Sequence, residues 1–180
     1  MKVSATPLDG VKVIESRVFS DDRGFFLESW NARAFEAAGL TPAFVQDNHS
    51  GSRRGVLRGL HYQVEHAQGK LVRVAVGEVF DVVVDLRRSS PTFGRSFGTT
   101  LSAQNRRMLW VPPGFAHGFL TLSDHADFLY KTTDYWYPQH ERTLLWNDPA
   151  LGIEWPLAGD PILAPKDAAG TPLARADAYL

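Results

Sequence analysis

Three stretches of this 180-residue chain concentrate polar side chains that a plain structural domain does not need. The first is Gln46 to Gln63, QDNHSGSRRGVLRGLHYQ, where His61 stands close to Arg58 and Gln63, with Lys70 soon after. The second is VPPGFAHGF, Val111 to Phe119, which sets Pro112, Gly114 and His117 in the order P-x-G-x-x-H. That spacing suits a tight turn delivering a histidine into the mouth of a small barrel. The third is a scattered set, Lys70, Tyr130, Glu141, Lys166 and Asp167. A barrel lined by His, Lys, Arg and Tyr is equipped for proton transfer and for binding anions. An unperturbed imidazole titrates near ~6.5, so His61 can accept a proton at neutral pH without extreme tuning. A carboxylate on the far ring nitrogen would fix the tautomer and stabilise the imidazolium. From spacing alone, any of the twenty acidic residues could supply it.

The P-x-G-x-x-H turn resembles the second motif of the cupin superfamily, many of whose members bind a metal through three histidines and a glutamate. Their first motif needs H-x-H followed by Glu. The corresponding place here reads His61-Tyr62-Gln63, so the second histidine is missing. A carboxamide is a poor ligand for Zn or Fe beside imidazole. Glu65 and His66 lie near in sequence, but strand periodicity points His61 and His66 to opposite faces. The expected site is metal-free.

Short apolar stretches between frequent Gly and Pro must position these groups. Leu71–Val76 (LVRVAV) stops at Gly77, and Glu78–Leu86 (EVFDVVVDL) runs to the turn-rich RRSSPTFG. Phe80, Val82, Val84 and Leu86 alternate with Val79, Asp81, Val83 and Asp85, a period-two pattern that predicts a strand with both faces partly buried. Met108–Val111 and Phe128–Tyr130 are further strand candidates. One stretch reads as helix: Asn31 caps it, ARAFEAA favours it, and Gly39 closes it. Many short strands and little helix predict an all-β sandwich or barrel. The length suits one domain over residues 1–180, with a tail from about Pro156 packed on the main body as irregular strands or loop.

Nineteen Lys and Arg against twenty Asp and Glu leave a net charge of −1, so no basic field attracts nucleic acid or anionic lipid. No apolar run approaches the ~20 residues that span a bilayer, and MKVSATPLDG lacks the apolar core of a signal peptide. Without cysteine there is no disulfide framework, and cytoplasmic residence fits.

Taken together, RGLHYQ, AQGKLVRVAVGEVFDVVVDLRRSSPTFG, VPPGFAHGF, YKTTDYWYPQHERTLLWNDP and PILAPKD resemble the dTDP-4-dehydrorhamnose 3,5-epimerase family, in order, from VFSDDRGFFLESW to about Asp167. The resemblance implies a jelly-roll cupin that dimerises through N-terminal strands. It implies a dTDP-linked 4-keto-6-deoxyhexose as substrate, inverted at C3 and C5 without a cofactor. His61 would be the base, Asp167 its dyad partner, Tyr130 the proton donor on the opposite face, and Lys70 the cation beside the ketone. Arg58, Lys166 and His117 would meet the diphosphate together with Arg23. Glu28, Gln46 and Asn48 would bind thymine and deoxyribose, Glu141 would be a further binding residue, and Phe25, Phe26 and Tyr137 could stack on the thymine, although core packing explains Phe25 and Phe26 equally well. On a strand Gln46 and Asn48 face one way and Asp47 the other. Arg23 and Glu28 would come from the partner subunit. Val64 stands where relatives commonly carry Pro. A related epimerase acting at only C3 or only C5, and a non-catalytic sugar-nucleotide-binding cupin, are the alternatives.

Overall fold

The computed structural model describes residues 1–180. Strands β1 (Lys2–Ala5), β2 (Lys12–Glu15), β3 (Val18–Asp21) and β4 (Gly24–Leu27) precede helix α1 (Ala32–Ala37). Then come β5 (Gln46–Arg53), β6 (Leu57–Gln63), β7 (Lys70–Val76), β8 (Glu78–Asp85) and β9 (Ser96–Ser102). Strands β10 (Arg107–Val111), β11 (Phe115–Thr121), β12 (His125–Thr132) and β13 (Glu141–Thr143) complete the sheets, and α2 (Pro165–Ala168) lies in the tail. Two antiparallel sheets face each other, ordered β1-β2-β10-β7-β12-β5 and β13-β6-β11-β8-β9, with β3 and β4 as a separate hairpin. This is the jelly-roll architecture of cupins.

The expected strands are present at β7, β8, β10 and β12, with Leu86 just past the end of β8. The pattern of β8 explains the layering. Val79 and Val83 pack between the sheets with Val72, Val74, Leu109, Phe119 and Phe128. Val82, Val84 and Leu86 pack on the opposite face with Leu144 and Leu151, and with Ala176, Leu173 and Tyr179 of the tail beyond Pro156. The tail is therefore a cover for one sheet. It is attached by isolated bridges from Ile162 to Val56, Thr171 to Leu144 and Tyr179 to Arg87, and its regular pieces are short helical turns.

The other sheet is covered by α1. Asn31 Oδ1 accepts from Ala34 N at 3.2 Å, satisfying an amide at the helix start that has no partner within the helix. Phe35 is buried with Ile14, Leu71, Met108 and Trp110, and its ring lies 4.3 Å from that of Trp30. Apolar packing fills one part of the space between the sheets, and a polar cavity of about 390 Å³ occupies the rest.

Candidate active site

The two facing sheets each contribute one wall of this cavity. From the five-stranded sheet come Arg58 and His61 on β6, His117 on β11 and Glu141 on β13. From the six-stranded sheet come Gln46, Asn48 and Ser50 on β5, Lys70 on β7, and Tyr130 and Thr132 on β12. Lys166 and Asp167 reach in from α2.

His61 and His117 are direct cross-strand partners, so their side chains share a face. Arg58, three residues before His61, would point away from it under strict alternation. The β6–β11 register shifts between His117 and Phe119, however, and both Arg58 and His61 line the cavity. Gly59 makes this possible: its φ is +125°, and a Cβ there would come within 2.6 Å of the Gly118 Cα. Arg58 is braced by Nε on Ser52 Oγ at 2.9 Å and by Nη2 on the Gly51 carbonyl at 3.2 Å.

His61 Nε2 meets Asp167 Oδ1 at 2.5 Å, across 106 positions of sequence. The Asp167 side chain is only 3% exposed, whereas that of His61 keeps 22% open. Burial depresses the His61 pKa, Asp167 opposes the shift, and the positive charges of Lys166 and Lys70 add to it. The ring is therefore neutral at neutral pH. With Nε2–H given to Asp167, the free lone pair is on Nδ1.

Lys70 is buried, and its ammonium donates a long 3.4 Å bond to the His61 carbonyl. Burial pulls its pKa down to about 8, against the attraction of Glu141 and Asp81. It is no solvated strand-end lysine. Tyr130 shows the opposite shift: burial and the Glu141 charge push its pKa up, with Arg58 opposing, so the phenol keeps its proton at neutral pH.

A second His–Asp pair lies beside the first. His117 Nε2 sits 2.9 and 3.1 Å from the two oxygens of Asp81, and both side chains are buried. Burial raises the Asp81 pKa, and His117 and Lys70 counter it. No motif marks Asp81, although its parity with the inward Val79 and Val83 identifies it as a carboxylate aimed between the sheets. Also unmarked are Ser50 and Thr132, which extend the inward parity of Gln46 and Tyr130, and Trp136 on the rim.

On β5, Gln46 and Asn48 face the cavity while Asp47 turns outward to Lys131 at 2.7 Å, as the alternation predicts. Gln46 Nε2 donates to Asn48 Oδ1 at 2.8 Å, leaving the buried Asn48 amide nitrogen without a partner inside the protein. Lys166 Nζ is held by both Glu141 oxygens at 3.1 Å.

Several expected groups lie elsewhere. Arg23 pairs with Asp21 on the β3–β4 hairpin, and Glu28 accepts from Asn31 at 3.0 Å, both outside this chain's own cavity. Phe25 and Phe26 are 58% and 65% exposed on the same hairpin, so neither packs in the core. Tyr137 stacks on His66 with ring centroids 4.2 Å apart, and it is Trp136 that lines the cavity. His66 lies beyond the end of β6 with φ +55°, so alternation does not extend to it and it is excluded from the cavity by the loop. No group of three or more His, Asp or Glu side chains is arranged to hold a metal ion, and no helix is long and apolar enough to cross a membrane.

Residues 5–175 match the sequence model of the dTDP-4-dehydrorhamnose 3,5-epimerase family. The chain is 61% identical over 180 residues to the dTDP-4-dehydrorhamnose 3,5-epimerase of Pseudomonas aeruginosa, covering 99% of each. It is 57% identical over 178 residues to that of Salmonella typhimurium, covering 98% of this chain and 97% of the other. Among solved structures it is similar to the dTDP-6-deoxy-D-glucose-3,5-epimerase of Legionella pneumophila, determined in complex with dTDP-4-keto-L-rhamnose. The TM-score is 0.94 at 52% identity, covering 97% of this chain and 93% of that one. A neutral histidine tied to a carboxylate, facing a protonated tyrosine across a polar jelly-roll cavity, thus stands in a chain that belongs to the dTDP-4-dehydrorhamnose 3,5-epimerase family.

Proposed function

We propose that this protein converts dTDP-4-dehydro-6-deoxy-D-glucose into dTDP-4-dehydro-L-rhamnose, on the way to dTDP-L-rhamnose, in the cytoplasm and without a cofactor. The observation that carries this reading is that His61 and Tyr130 line one cavity from facing sheets, so a sugar between them meets a base on one side and an acid on the other.

The chemistry follows from the ketone. C3 and C5 both flank the C4 carbonyl, so loss of either proton gives an enolate whose charge rests on the C4 oxygen. His61 Nδ1 takes the proton, and Asp167 stabilises the imidazolium that results. The Lys70 ammonium stands by for the enolate oxygen, buried where a fixed cation is worth far more than in water. Tyr130 returns a proton to the opposite face. Each inversion moves one proton from carbon to His61 and one from Tyr130 to carbon, and exchange with solvent resets both groups. Two such rounds, one at each carbon, complete the reaction.

Substrate is held at its diphosphate by Arg58 and Lys166, with His117 alongside, while Gln46, Asn48 and Glu141 supply polar contacts. Asn48 has an amide donor already free for an acceptor. The protein works as a homodimer in which the β3–β4 hairpin of one subunit brings Arg23 and Glu28 to its partner's cavity. The exposure of Phe19, Phe25 and Phe26 on that hairpin supports this arrangement. All 180 residues act as one domain, with the N-terminal strands serving dimerisation and the tail completing the site.

Incubating the protein with the 4-keto-6-deoxyglucose nucleotide in D2O and following the sugar by NMR tests the assignment. Deuterium is expected at both C3 and C5, with L-rhamno product. Deuterium at a single carbon would make it a monoepimerase, and none at either would make it a binding protein.

A further inference from the structure

The dyad carboxylate is carried by an unusually sparse support. Residues Leu163–Gly170 form an arch between two backbone anchors. At one end Ile162 exchanges hydrogen bonds with Gly55 and Leu57, and at the other Thr171 does so with Thr143 and Leu145. Between them, the amides of Asp167 and Ala168 donate to Ala164 and that of Ala169 to Pro165, all within the arch. Of the four α2 residues only Asp167 is buried; Pro165, Lys166 and Ala168 are exposed, so no apolar side chain of the helix anchors it.

Two side-chain ties join this arch to the barrel. One is Asp167 on His61, and the other is Lys166 on Glu141. They are made by adjacent residues and land on adjacent strands: His61 lies on β6, while Glu141 lies on β13 opposite Gln63. The Lys166 and Glu141 side chains are 52% and 22% exposed, and a pair of that exposure shifts an equilibrium by no more than about fivefold. Such a tie is weak enough to be exchanged for a stronger anion. Both residues line the cavity where the diphosphate is proposed to bind.

We propose that Glu141 is a positioning residue: in the substrate-free protein it holds Lys166, and through Lys166 it keeps the arch and Asp167 seated on His61, until a nucleotide diphosphate replaces it at Lys166. Nucleotide binding and alignment of the base are then coupled, because whichever anion occupies Lys166 pins the same arch. This rests on His61–Asp167 as the base and its orienting carboxylate, yet it is tested without turnover.

The test uses the intact substrate-free protein. Proton NMR follows solvent exchange of the hydrogen shared by His61 and Asp167, and amide hydrogen exchange across 163–170 serves as an independent readout of the arch. Glu141→Gln and Lys166→Met should each speed both exchanges about fivefold. The charge-swapped double variant, Glu141→Lys with Lys166→Glu, should return them to within about twofold of the parent, since it restores the tie. Adding dTDP should slow exchange in Glu141→Gln but not in Lys166→Met, which has no cation for the diphosphate to take. Unchanged exchange in both single variants, no recovery in the swap, or equal slowing of both variants by dTDP would overturn the proposal. Failure of the epimerase assay, by contrast, would leave these exchange rates as they are.

Discussion

Two histidine–aspartate pairs stand side by side: His61, Asp167 and His117 line one cavity, and Asp81 is buried behind His117. His117 and Asp81 both belong to neighbouring strands of one sheet, and the carboxylate is fully buried with two oxygens on one ring nitrogen. His61 also sits on that sheet, but its carboxylate arrives from a one-turn helix in the tail, through a single short bond. The inner pair is locked by the fold. The outer pair keeps its imidazole partly open, with a free Nδ1 that can meet substrate. A base needs access and a tuned proton affinity, which suits the role proposed for His61, whereas the buried Asp81 carboxylate fixes the His117 ring beside the proposed diphosphate site and balances the buried Lys70 charge. On the proposed mechanism, the pair whose carboxylate comes from the tail moves the proton, and the pair held within one sheet fixes a ring that meets the substrate.

That division can be broken experimentally, and the largest effect belongs to the base. His61→Asn should lower kcat by about 10⁴ or more and abolish deuterium entry at C3 and C5, with the melting temperature nearly unchanged. If His117→Asn did the same while His61→Asn stayed active, the roles would have to be exchanged.

The two carboxylates should separate activity from stability. Asp167→Asn is expected to cost about 10²–10⁴ in kcat with little change in unfolding free energy. Asp81→Asn, the matched change, weakens a bond fully enclosed between two strands and should destabilise the fold by about 1–3 kcal/mol, measured by denaturant unfolding. Equal thermal losses in the two variants would erase the contrast.

A smaller effect sharpens the charge assignments. The kcat/KM profile should fall on the acid side below pH 6.5, as the depressed His61 gains a proton and ceases to be a base. On the alkaline side it should fall near pH 8, where the buried Lys70 loses its charge. Lys70→Met should reduce the rate by about 10²–10³ and erase the alkaline limb, because Tyr130 holds its proton to higher pH. An alkaline limb that survives in Lys70→Met would assign it to another group.

The same contrast explains what could be read from the chain alone. The apolar strands β7, β8 and β10 were legible because their alternation reports two buried faces, and α1 because Asn31 and Gly39 bracket it. Much of β5 is polar, since Gln46, Asn48 and Ser50 line a cavity, and an apolar pattern does not register such a strand. Family motifs marked His61, Tyr130, Lys70 and Asp167 as residues, but spacing could not join Asp167 to His61 over 106 positions. Nor could alternation put Arg58 and His61 on one wall, because a shift in register beside Gly59 does so. Phe25 and Phe26 read equally as core or as stacking residues, and their exposure on the hairpin excludes the core. Tyr137, a candidate for stacking on thymine, has one ring face against His66 and lies outside the cavity lining.

The claim on which the account turns is that proton removal and proton return occur on opposite walls. Comparing deuterium wash-in with inversion in Tyr130→Phe tests it most directly. The account predicts that deuterium still enters C3 and C5 at an appreciable rate, through His61, while inversion falls by at least about 10²-fold. Inversion at the parent rate in Tyr130→Phe would contradict it.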